Sequence, residues 1–286
     1  MMRPVRIFIM SLIILSFAAI DTHSGDSGDI RIISLAPSTT EILFALGLGD
    51  EIVGVSIFCD YPAAAGAIEK VGTFSQPNIE KIFSLKPDII FCTGLEQAPA
   101  IEKLRQLGLK VHVSDPSNFS ELFDSMESIG RLTSRDNEAA GLIKRMKEAI
   151  EGVRSAAGAS ARAANRPKIF VEIWHSPLMT AGKGSFLDEL ITLAGGVNIA
   201  YDAPRPYSRF SAEKVIRLDP DLIILAYMDK ERSTKSVERR FGWGKISAVK
   251  NHRVYDDIDP DLYLRPGPRL VDGLKEIQKK VELVNE

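Results

Sequence analysis

The sequence predicts an α/β protein of two lobes, each built on a parallel central sheet, with one long α-helix joining them. Apolar runs typical of strands alternate with helical segments in both halves of the chain, and a helical stretch separates the halves. The 286 residues are enough for two cores of ordinary size. We expect an N-terminal α/β lobe over residues 30–133, an inter-lobe helix over 134–166 and a C-terminal α/β lobe over 167–286.

The elements of the first half follow from apolar runs bounded by turn residues and from helix caps. We predict strands at 31–35, 52–57, 89–92 and 111–113. We predict helices at 38–47, 98–107 and 120–132, with a further short helix before the third strand. Because strands and helices alternate, the sheet should be parallel and covered by helices.

The second half repeats this alternation after the inter-lobe helix. Apolar residues at helical spacing over 134–164 predict that helix, and Pro167 ends it. We predict strands at 168–173, 222–226 and 253–258, and helices at 184–194 and through the closing residues Leu274, Ile277 and Val281. The residues from Asp259 to Arg269 should form a loop that a Pro-Gly-Pro run makes stiff.

A sequence repeat supports the division into two halves. Most of the pattern of residues 73–91 returns in residues 206–224, and an offset of 133 positions (213 − 80) aligns Glu80 with Glu213. A register kept without a gap through a helix start and a strand indicates a duplicated structural unit.

The two repeated glutamates have an ordinary interpretation and a functional one. In each copy Asn78 or Ser211 can cap a short helix, and the glutamate two residues later faces the positive end of that helix. Glu80 and Glu213 are then surface acids that stabilise a helix. Because they recur at matching positions, they are also candidates for a docking surface for a two-fold symmetric partner.

The first residues have the pattern of a secretory signal peptide. Arg3 and Arg6 precede an apolar run over residues 7–20. The alternative, an uncleaved membrane anchor, is disfavoured because the run is shorter than the roughly 20 residues needed to span a bilayer. We expect residues 1–24 to be removed during export and the mature protein to be soluble and periplasmic.

Composition and motifs argue against several classes of function. The 36 basic and 38 acidic residues leave a formal net charge of −2, which gives no reason to expect nucleic acid as a ligand. The sequence has no HExxH, GxSxG or GxxxxGK[ST] pattern, and its histidines are not spaced as a metal cluster. We expect a monomer with no catalytic activity, no cofactor and no resident metal.

Cys59 and Cys92 could form a disulfide or remain two free thiols.

Aromatic and polar residues fall where strands end, which is the edge at which open α/β sheets collect ligand-binding residues. Aromatic walls with a few polar groups suit a large, flat, partly apolar ligand, although core packing is the ordinary interpretation for each ring. We expect Phe74 and Tyr207, which the repeat aligns, to face each other across a cleft. The predicted ligand-binding residues are Phe58, Asp60, Tyr61, Phe74, Trp174, Tyr207, Asp261, Leu262, Tyr263, Leu264 and Arg265.

Nearly the whole chain after the signal peptide resembles one family. The resemblance rests on the blocks RIISLAPSTTEILFALG, VGVSIFCDYP, VGTFSQPNIEKIFSLKPDII and DLYLRPGPRLVDGL. They are similar to blocks of the cobalamin-binding periplasmic proteins of ABC importers, which belong to the substrate-binding proteins with a helical backbone. The resemblance implies the class III periplasmic binding protein fold, with two Rossmann-like lobes. It also implies capture of cobalamin or a related corrinoid for delivery to an ABC permease dimer in the inner membrane.

The resemblance also assigns roles to single residues. Glu80 and Glu213 match two lobe-tip glutamates that contact arginines of the permease dimer. Residues that match ligand-contacting positions of the family are Phe58, Phe74, Tyr207 and the segment Asp261 to Arg265. The chain departs from the family where Phe74 and Tyr207 stand in place of tryptophans and where Trp174 and His175 stand in place of small residues.

Haem or a ferric siderophore is the alternative ligand within the same class of importer. Haem needs a tyrosine or histidine axial ligand, for which His175, Tyr207 and Tyr263 are candidates, whereas a ferric siderophore favours a more basic cleft. For His175, a hydrogen-bonded position on the cleft rim is the ordinary interpretation. A secreted hydrolase, the alternative of another class, is disfavoured by the missing nucleophile and base.

Overall fold

The computed structural model describes residues 30–161, 166–227 and 234–285. The fold class agrees with the prediction, because two sheets are covered by helices and joined by one 26-residue α-helix. The predicted signal peptide, residues 1–24, lies outside the described residues.

The first sheet is parallel throughout. Its strands are β1 (Ile32–Ser34), β2 (Ile52–Val55), β3 (Ile89–Cys92) and β4 (Val111–Val113). Its helices are α1 (Pro37–Ala45), α2 (Ile79–Ser84), α3 (Ala98–Gln106) and α4 (Phe119–Leu132). The strand order is β2-β1-β3-β4, and every neighbouring pair is parallel. The bounds of β3 and β4 are those that the sequence predicted.

The helix α5 (Asp136–Ala161) leads to a second, mixed sheet. The strands of this sheet are β5 (Lys168–His175), β6 (Leu178–Ala181), β7 (Val197–Asn198), β8 (Tyr207–Arg209), β9 (Leu222–Leu225) and β10 (Val254–Tyr255). Its order is β10-β9-β5-β6-β8, with β7 paired to β5. The neighbours β9 and β7 run parallel to β5, and β10 runs parallel to β9.

Two antiparallel strands of the second sheet were not predicted. Strand β6 pairs antiparallel with β5, and β8 pairs antiparallel with β6. Only Ser176 and Pro177 separate β5 from β6, so the hairpin reads in the sequence as a single strand followed by a loop. The remaining helices are α6 (Phe186–Leu193), α7 (Ala212–Leu218), α8 (Thr234–Glu238), α9 (Ser247–Lys250), α10 (Asp261–Leu264) and α11 (Leu270–Asn285).

Successive residues of each central strand face opposite apolar layers, as the pleat of a strand requires. In β3, Ile89 and Phe91 enter the largest apolar cluster, whereas Ile90 and Cys92 enter a cluster on the other face of the sheet. The residues of β9 alternate in the same way between the largest cluster and a third cluster. The largest cluster, here called the shared core, also contains residues of α4, α5, α6 and α11. It therefore continues from one sheet to the other.

The segment predicted as a stiff loop before the last helix contains a helical turn, α10. This turn packs closely on α11, where a Cβ on Gly273 would lie only 2.3 Å from the backbone oxygen of Leu262. Glycine is therefore required at position 273, since any side chain would collide with the backbone of α10.

Cys59 and Cys92 are two buried free thiols. Cys59 lies in the shared core, where Thr40 Oγ1 donates a hydrogen bond of 3.2 Å to its Sγ atom, and Cys92 lies in the cluster on the opposite face of the first sheet. Burial raises the pKa of both thiols, that of Cys92 to about 12. The sheet between them explains why no disulfide forms.

Candidate functional site

Arg265 is the centre of an ion-pair cluster that joins the C-terminal segment to the first lobe. Its Nη1 atom lies 2.6 Å from Asp60 Oδ1 and 3.7 Å from Glu41 Oε1. Its Nη2 atom lies 2.9 Å from Asp261 Oδ2. Three predicted ligand-binding residues, Asp60, Asp261 and Arg265, are thus brought together, although 205 positions separate Asp60 from Arg265.

Glu41 and Arg269 belong to the same cluster, and sequence reasoning gave them no part in the site. Glu41, in α1, is 3% exposed. Arg269 holds both of its oxygens, through Nε to Oε2 at 2.8 Å and through Nη2 to Oε1 at 2.5 Å. The guanidinium of Arg269 also lies 3.9 Å from the centre of the Tyr61 ring. A glutamate within an apolar helix and an arginine on each side of Pro-Gly-Pro were the signals available in the sequence.

The pKa values of the carboxyl groups around Arg265 are shifted in opposite directions. The hydrogen bond from Arg265 lowers the pKa of Asp60, the most exposed of them. Burial raises the pKa of Asp261 and of Glu41, although the neighbouring guanidinium groups oppose this shift. Asp60 therefore keeps its negative charge to a more acidic pH than an ordinary aspartate, and its pair with Arg265 persists with it.

Four of the predicted aromatic residues present exposed rings. Their exposed fractions are 50% for Phe58, 47% for Tyr61, 42% for Trp174 and 46% for Tyr207. Phe58 and Tyr61 follow the carboxyl end of β2, and Trp174 lies at the carboxyl end of β5. Rings at these strand ends provide apolar surface that a large ligand could cover.

Tyr207 lies on the edge strand β8, which was not predicted. It pairs with Ala181 of β6, and Arg209, two residues further on, pairs with Met179. Met179 also pairs with Trp174 of β5. Tyr207 and Arg209 are both exposed and Ser208 between them is buried, so the two side chains share one face of β8. Arg209 is a third residue that sequence reasoning missed, although the alternation of Tyr207, Ser208 and Arg209 was a signal for it.

Phe74 is half-buried, and a buried glutamine fixes its backbone. Gln97 Nε2 donates hydrogen bonds to the backbone oxygens of Phe74 at 2.9 Å and of Leu35 at 3.0 Å, and Leu35 directly follows β1. Phe74 is therefore held beside the carboxyl end of β1. That Phe74 faces Tyr207 across a cleft stays a prediction.

Tyr263 does not present its ring at the surface, which corrects the sequence-based expectation. It is 1% exposed and lies in the shared core, while Leu262 and Leu264 are partly buried against the same core. The reason is the helical turn α10, which directs Tyr263 inward instead of presenting it from an open loop. Burial raises the pKa of the Tyr263 hydroxyl, and this hydroxyl has no hydrogen-bond partner in the described part of the chain.

His175 lies among aromatic rings at the end of β5. Its ring centre is 5.2 Å from that of Trp174 and 6.3 Å from that of Tyr227, which it meets edge to face. Trp174 Nε1 donates a hydrogen bond of 2.9 Å to the backbone oxygen of Ser176. The described ranges contain no group of three or more His, Cys, Asp or Glu residues that could hold a metal ion.

Glu80 is exposed in the first turn of α2, which begins at the carboxyl edge of the first sheet. The predicted cap is confirmed, because Asn78 Oδ1 accepts a hydrogen bond of 2.9 Å from the backbone of Lys81. The backbone of Asn78 also donates to Val71 O at 2.7 Å, and Val71 N donates to the oxygen of Val55, the last residue of β2. These bonds fix the start of α2 beside the end of a strand.

Glu213 has the corresponding position in the second lobe. It is exposed in the first turn of α7, and the hydroxyl of Ser211 caps this helix as predicted. The backbone of Phe210 donates a hydrogen bond of 2.9 Å to Leu178 O, and Leu178 pairs with His175, the last residue of β5. Both glutamates therefore belong to helices that start at the carboxyl edges of their sheets.

An open hollow of about 740 Å³ lies on the flank of the first lobe. Its lining includes Gly94, Glu102, Arg105 and Asp115, beside α3 and the end of β4. None of the predicted ligand-binding residues lines this hollow.

The family follows from comparison with known proteins. A family model described as periplasmic binding protein matches residues 32–261. The chain belongs to this family. It is a periplasmic substrate-binding protein of an ABC importer, a class of transport proteins and not of enzymes. No helix in residues 30–161, 166–227 and 234–285 has the length and apolar character needed to cross a membrane.

Two curated relatives are similar over most of their length. An uncharacterized ABC transporter substrate-binding lipoprotein of Bacillus subtilis is 37% identical over 256 residues, which are 88% of this chain and 79% of the relative. The vitamin B12-binding protein of Vibrio cholerae is 32% identical over 250 residues, which are 86% of this chain and 87% of the relative.

Solved structures share the fold. One is a possible iron-binding periplasmic protein of Staphylococcus epidermidis, with a TM-score of 0.77 and 31% identity over 88% of this chain and 98% of the other. The haem-binding protein of Roseiflexus has a TM-score of 0.80 over 91% of this chain and 100% of its own, but at 23% identity it supports the fold alone.

The buried ion pair between Glu41 and Arg269 predicts a large effect of one substitution on stability. Glu41→Ala should lower the free energy of unfolding by about 3 kcal/mol, because it leaves two largely buried guanidinium groups without this carboxylate. The measurement is urea unfolding followed by circular dichroism.

Asp60→Ala is the matched control for this experiment. Its side chain is 65% exposed, so breaking its pair with Arg265 should cost about 1 kcal/mol or less. Equal effects of the two substitutions would contradict the assignment of Glu41 as the buried anchor of the cluster.

Proposed function

We propose that this protein captures cobalamin or a related corrinoid between its two lobes and delivers it to the permease dimer of its importer. The observation that carries the proposal is the set of exposed aromatic rings at the strand ends of both lobes. The similarity to the vitamin B12-binding protein of V. cholerae supports a corrinoid in particular.

The chemistry of the exposed residues suits a corrinoid. The faces of its macrocycle are large and partly apolar, and Tyr61, Trp174 and Tyr207 offer rings to cover them. The amide groups on its rim need hydrogen-bond donors and acceptors, which Arg265 and Asp60 provide from a position fixed before binding. Capture then requires no chemical reaction of the ligand.

Haem or a ferric siderophore is the second candidate, and the similarity to the possible iron-binding protein of S. epidermidis favours it. A tyrosine that ligates haem iron binds as the phenolate. Of the two candidate tyrosines, Tyr263 is 1% exposed within the shared core, whereas Tyr207 is 46% exposed. Tyr207 and His175 are then the candidates for an axial ligand.

The ligand can be identified by its absorbance. Protein without its signal peptide is incubated separately with cyanocobalamin, haemin or a ferric siderophore and is then desalted. We expect it to retain the bands of cyanocobalamin, and titration calorimetry should rank this ligand first. Retention of haemin or the siderophore alone would overturn the proposed ligand.

One aromatic substitution tests the place of binding. Trp174→Ala should weaken the binding of cyanocobalamin by roughly tenfold, because it removes an apolar ring from the ligand surface, and tenfold corresponds to about 1.4 kcal/mol. Tyr201→Ala is the control, since Tyr201 is 47% exposed, similar to Trp174 at 42%, and is not a predicted ligand residue. If the Trp174 variant binds cyanocobalamin with unchanged affinity, this ring is not part of the binding site.

Delivery is tested by reversing the charges of both proposed docking residues. Glu80→Lys combined with Glu213→Lys should abolish uptake and leave ligand affinity unchanged, because exposed ion pairs set orientation and encounter more than they add affinity. The control reverses Glu127 and Glu282, which are exposed on α4 and α11. Uptake by the Glu80 and Glu213 variant at the control rate would contradict the proposed docking role.

A further inference from the structure

The turn that follows α8 is anchored at both ends. Arg240 donates two hydrogen bonds to the fully buried carboxylate of Glu172, through Nη1 at 2.6 Å and Nη2 at 2.7 Å. The Arg240 guanidinium also lies 4.6 Å from the centre of the Trp243 ring, and Trp243 is 1% exposed in the core of the second lobe. A buried carboxylate and a core tryptophan therefore fix residues 240 and 243.

Between these anchors stands Phe241, which is completely exposed. Its exposed fraction is 101%, so its ring has the solvent contact of a residue in an unfolded chain. Exposure of a large apolar ring is unfavourable, and a loose turn could fold such a ring inward. Because Arg240 and Trp243 hold the turn in place, Phe241 is presented to the exterior.

Phe241 lies beside the helix that carries Glu213. A Cβ on Gly242, the next residue, would be only 3.0 Å from Ile216 Cδ1. Ile216 follows Glu213 by three positions, and residues three apart lie on the same face of a helix. The anchored turn therefore packs on the face of α7 from which Glu213 projects.

The first lobe has a matching exposed ring. The repeat offset of 133 aligns Ile216 with Phe83 (216 − 133 = 83), which follows Glu80 by three positions in α2 and is 53% exposed. Each lobe thus presents an acidic residue and an aromatic ring from the same region. In the second lobe, where the repeat has Ile216, the neighbouring turn provides the ring.

We propose that Phe83 and Phe241 are the apolar contacts of the docking surface, and that each inserts into an apolar depression of the permease beside the group that pairs with Glu80 or Glu213. This inference rests on the proposed docking function. An exposed ion pair alone contributes little affinity, whereas aromatic residues commonly supply most of the binding energy of an interface. The two rings hold the complex together, and the two glutamates orient it.

The test measures binding of the ligand-free protein to its permease–ATPase complex in lipid nanodiscs. Phe83→Ser and Phe241→Ser should each weaken binding by about tenfold, mainly through faster dissociation, and the loss should persist at high salt. Glu80→Lys and Glu213→Lys should instead slow association and change its salt dependence. Leu283→Ser, a change of an apolar residue that is 47% exposed on α11, is the control and should bind like the wild type.

The outcomes separate the two levels of the proposal. If both phenylalanine variants bind like the Leu283 variant while the glutamate variants fail to dock, the rings have no docking role and the proposed function stands. If the glutamate variants also bind normally, the proposed docking function itself fails. If Phe241→Ser loses the same affinity for nanodiscs without the importer, the ring contacts lipid and the inference is overturned.

Discussion

The shared core is the constraint on which the rest of the structure depends. Side chains from alternate positions of the central strands of both sheets enter one continuous apolar cluster, together with the inner faces of α4, α5, α6 and α11. Close-packed interiors resist shear, so a large change in the angle between the sheets would have to break these contacts. The shared core therefore opposes a large rotation of one sheet against the other.

The ion-pair cluster around Glu41 also connects the C-terminal segment to the first lobe, through polar contacts. A carboxylate in the first helix holds Arg269, and its neighbour Arg265 binds Asp60 and Asp261. The Pro-Gly-Pro segment between the two arginines is thereby attached to the first lobe. The residues that we propose as hydrogen-bonding partners of a ligand, Asp60 and Arg265, belong to this cluster, which couples their geometry to the integrity of the fold.

Sequence reasoning predicted the parts of the fold that local patterns determine. The apolar runs of β3 and β4 end at clear turn residues, and the capping residues Asn78 and Ser211 make the hydrogen bonds expected of them. The hairpin β5-β6 was missed because two residues are enough to reverse the chain. Tyr263 was misplaced because a single helical turn decides which side chain points inward, and no local pattern distinguishes that turn from a loop.

The parts of the site that sequence reasoning missed depend on contacts between distant residues. Glu41 and Arg269 are 228 positions apart, and the partner of a buried charge can be found only when the fold brings the two together. Arg240, which holds Phe241 in place, pairs with Glu172 across 68 positions. By contrast, Glu80 and Glu213 could be predicted as a pair from the sequence because the repeat places the same pattern twice in the chain.

A crystal structure of the protein with bound cyanocobalamin tests the central claim most directly. The account predicts that the corrinoid lies between the lobes against Tyr61 and Trp174, and that the two sheets keep the relative orientation that they have without ligand. A corrinoid bound on an outer flank, or lobes rotated so far that the shared core separates, would contradict it.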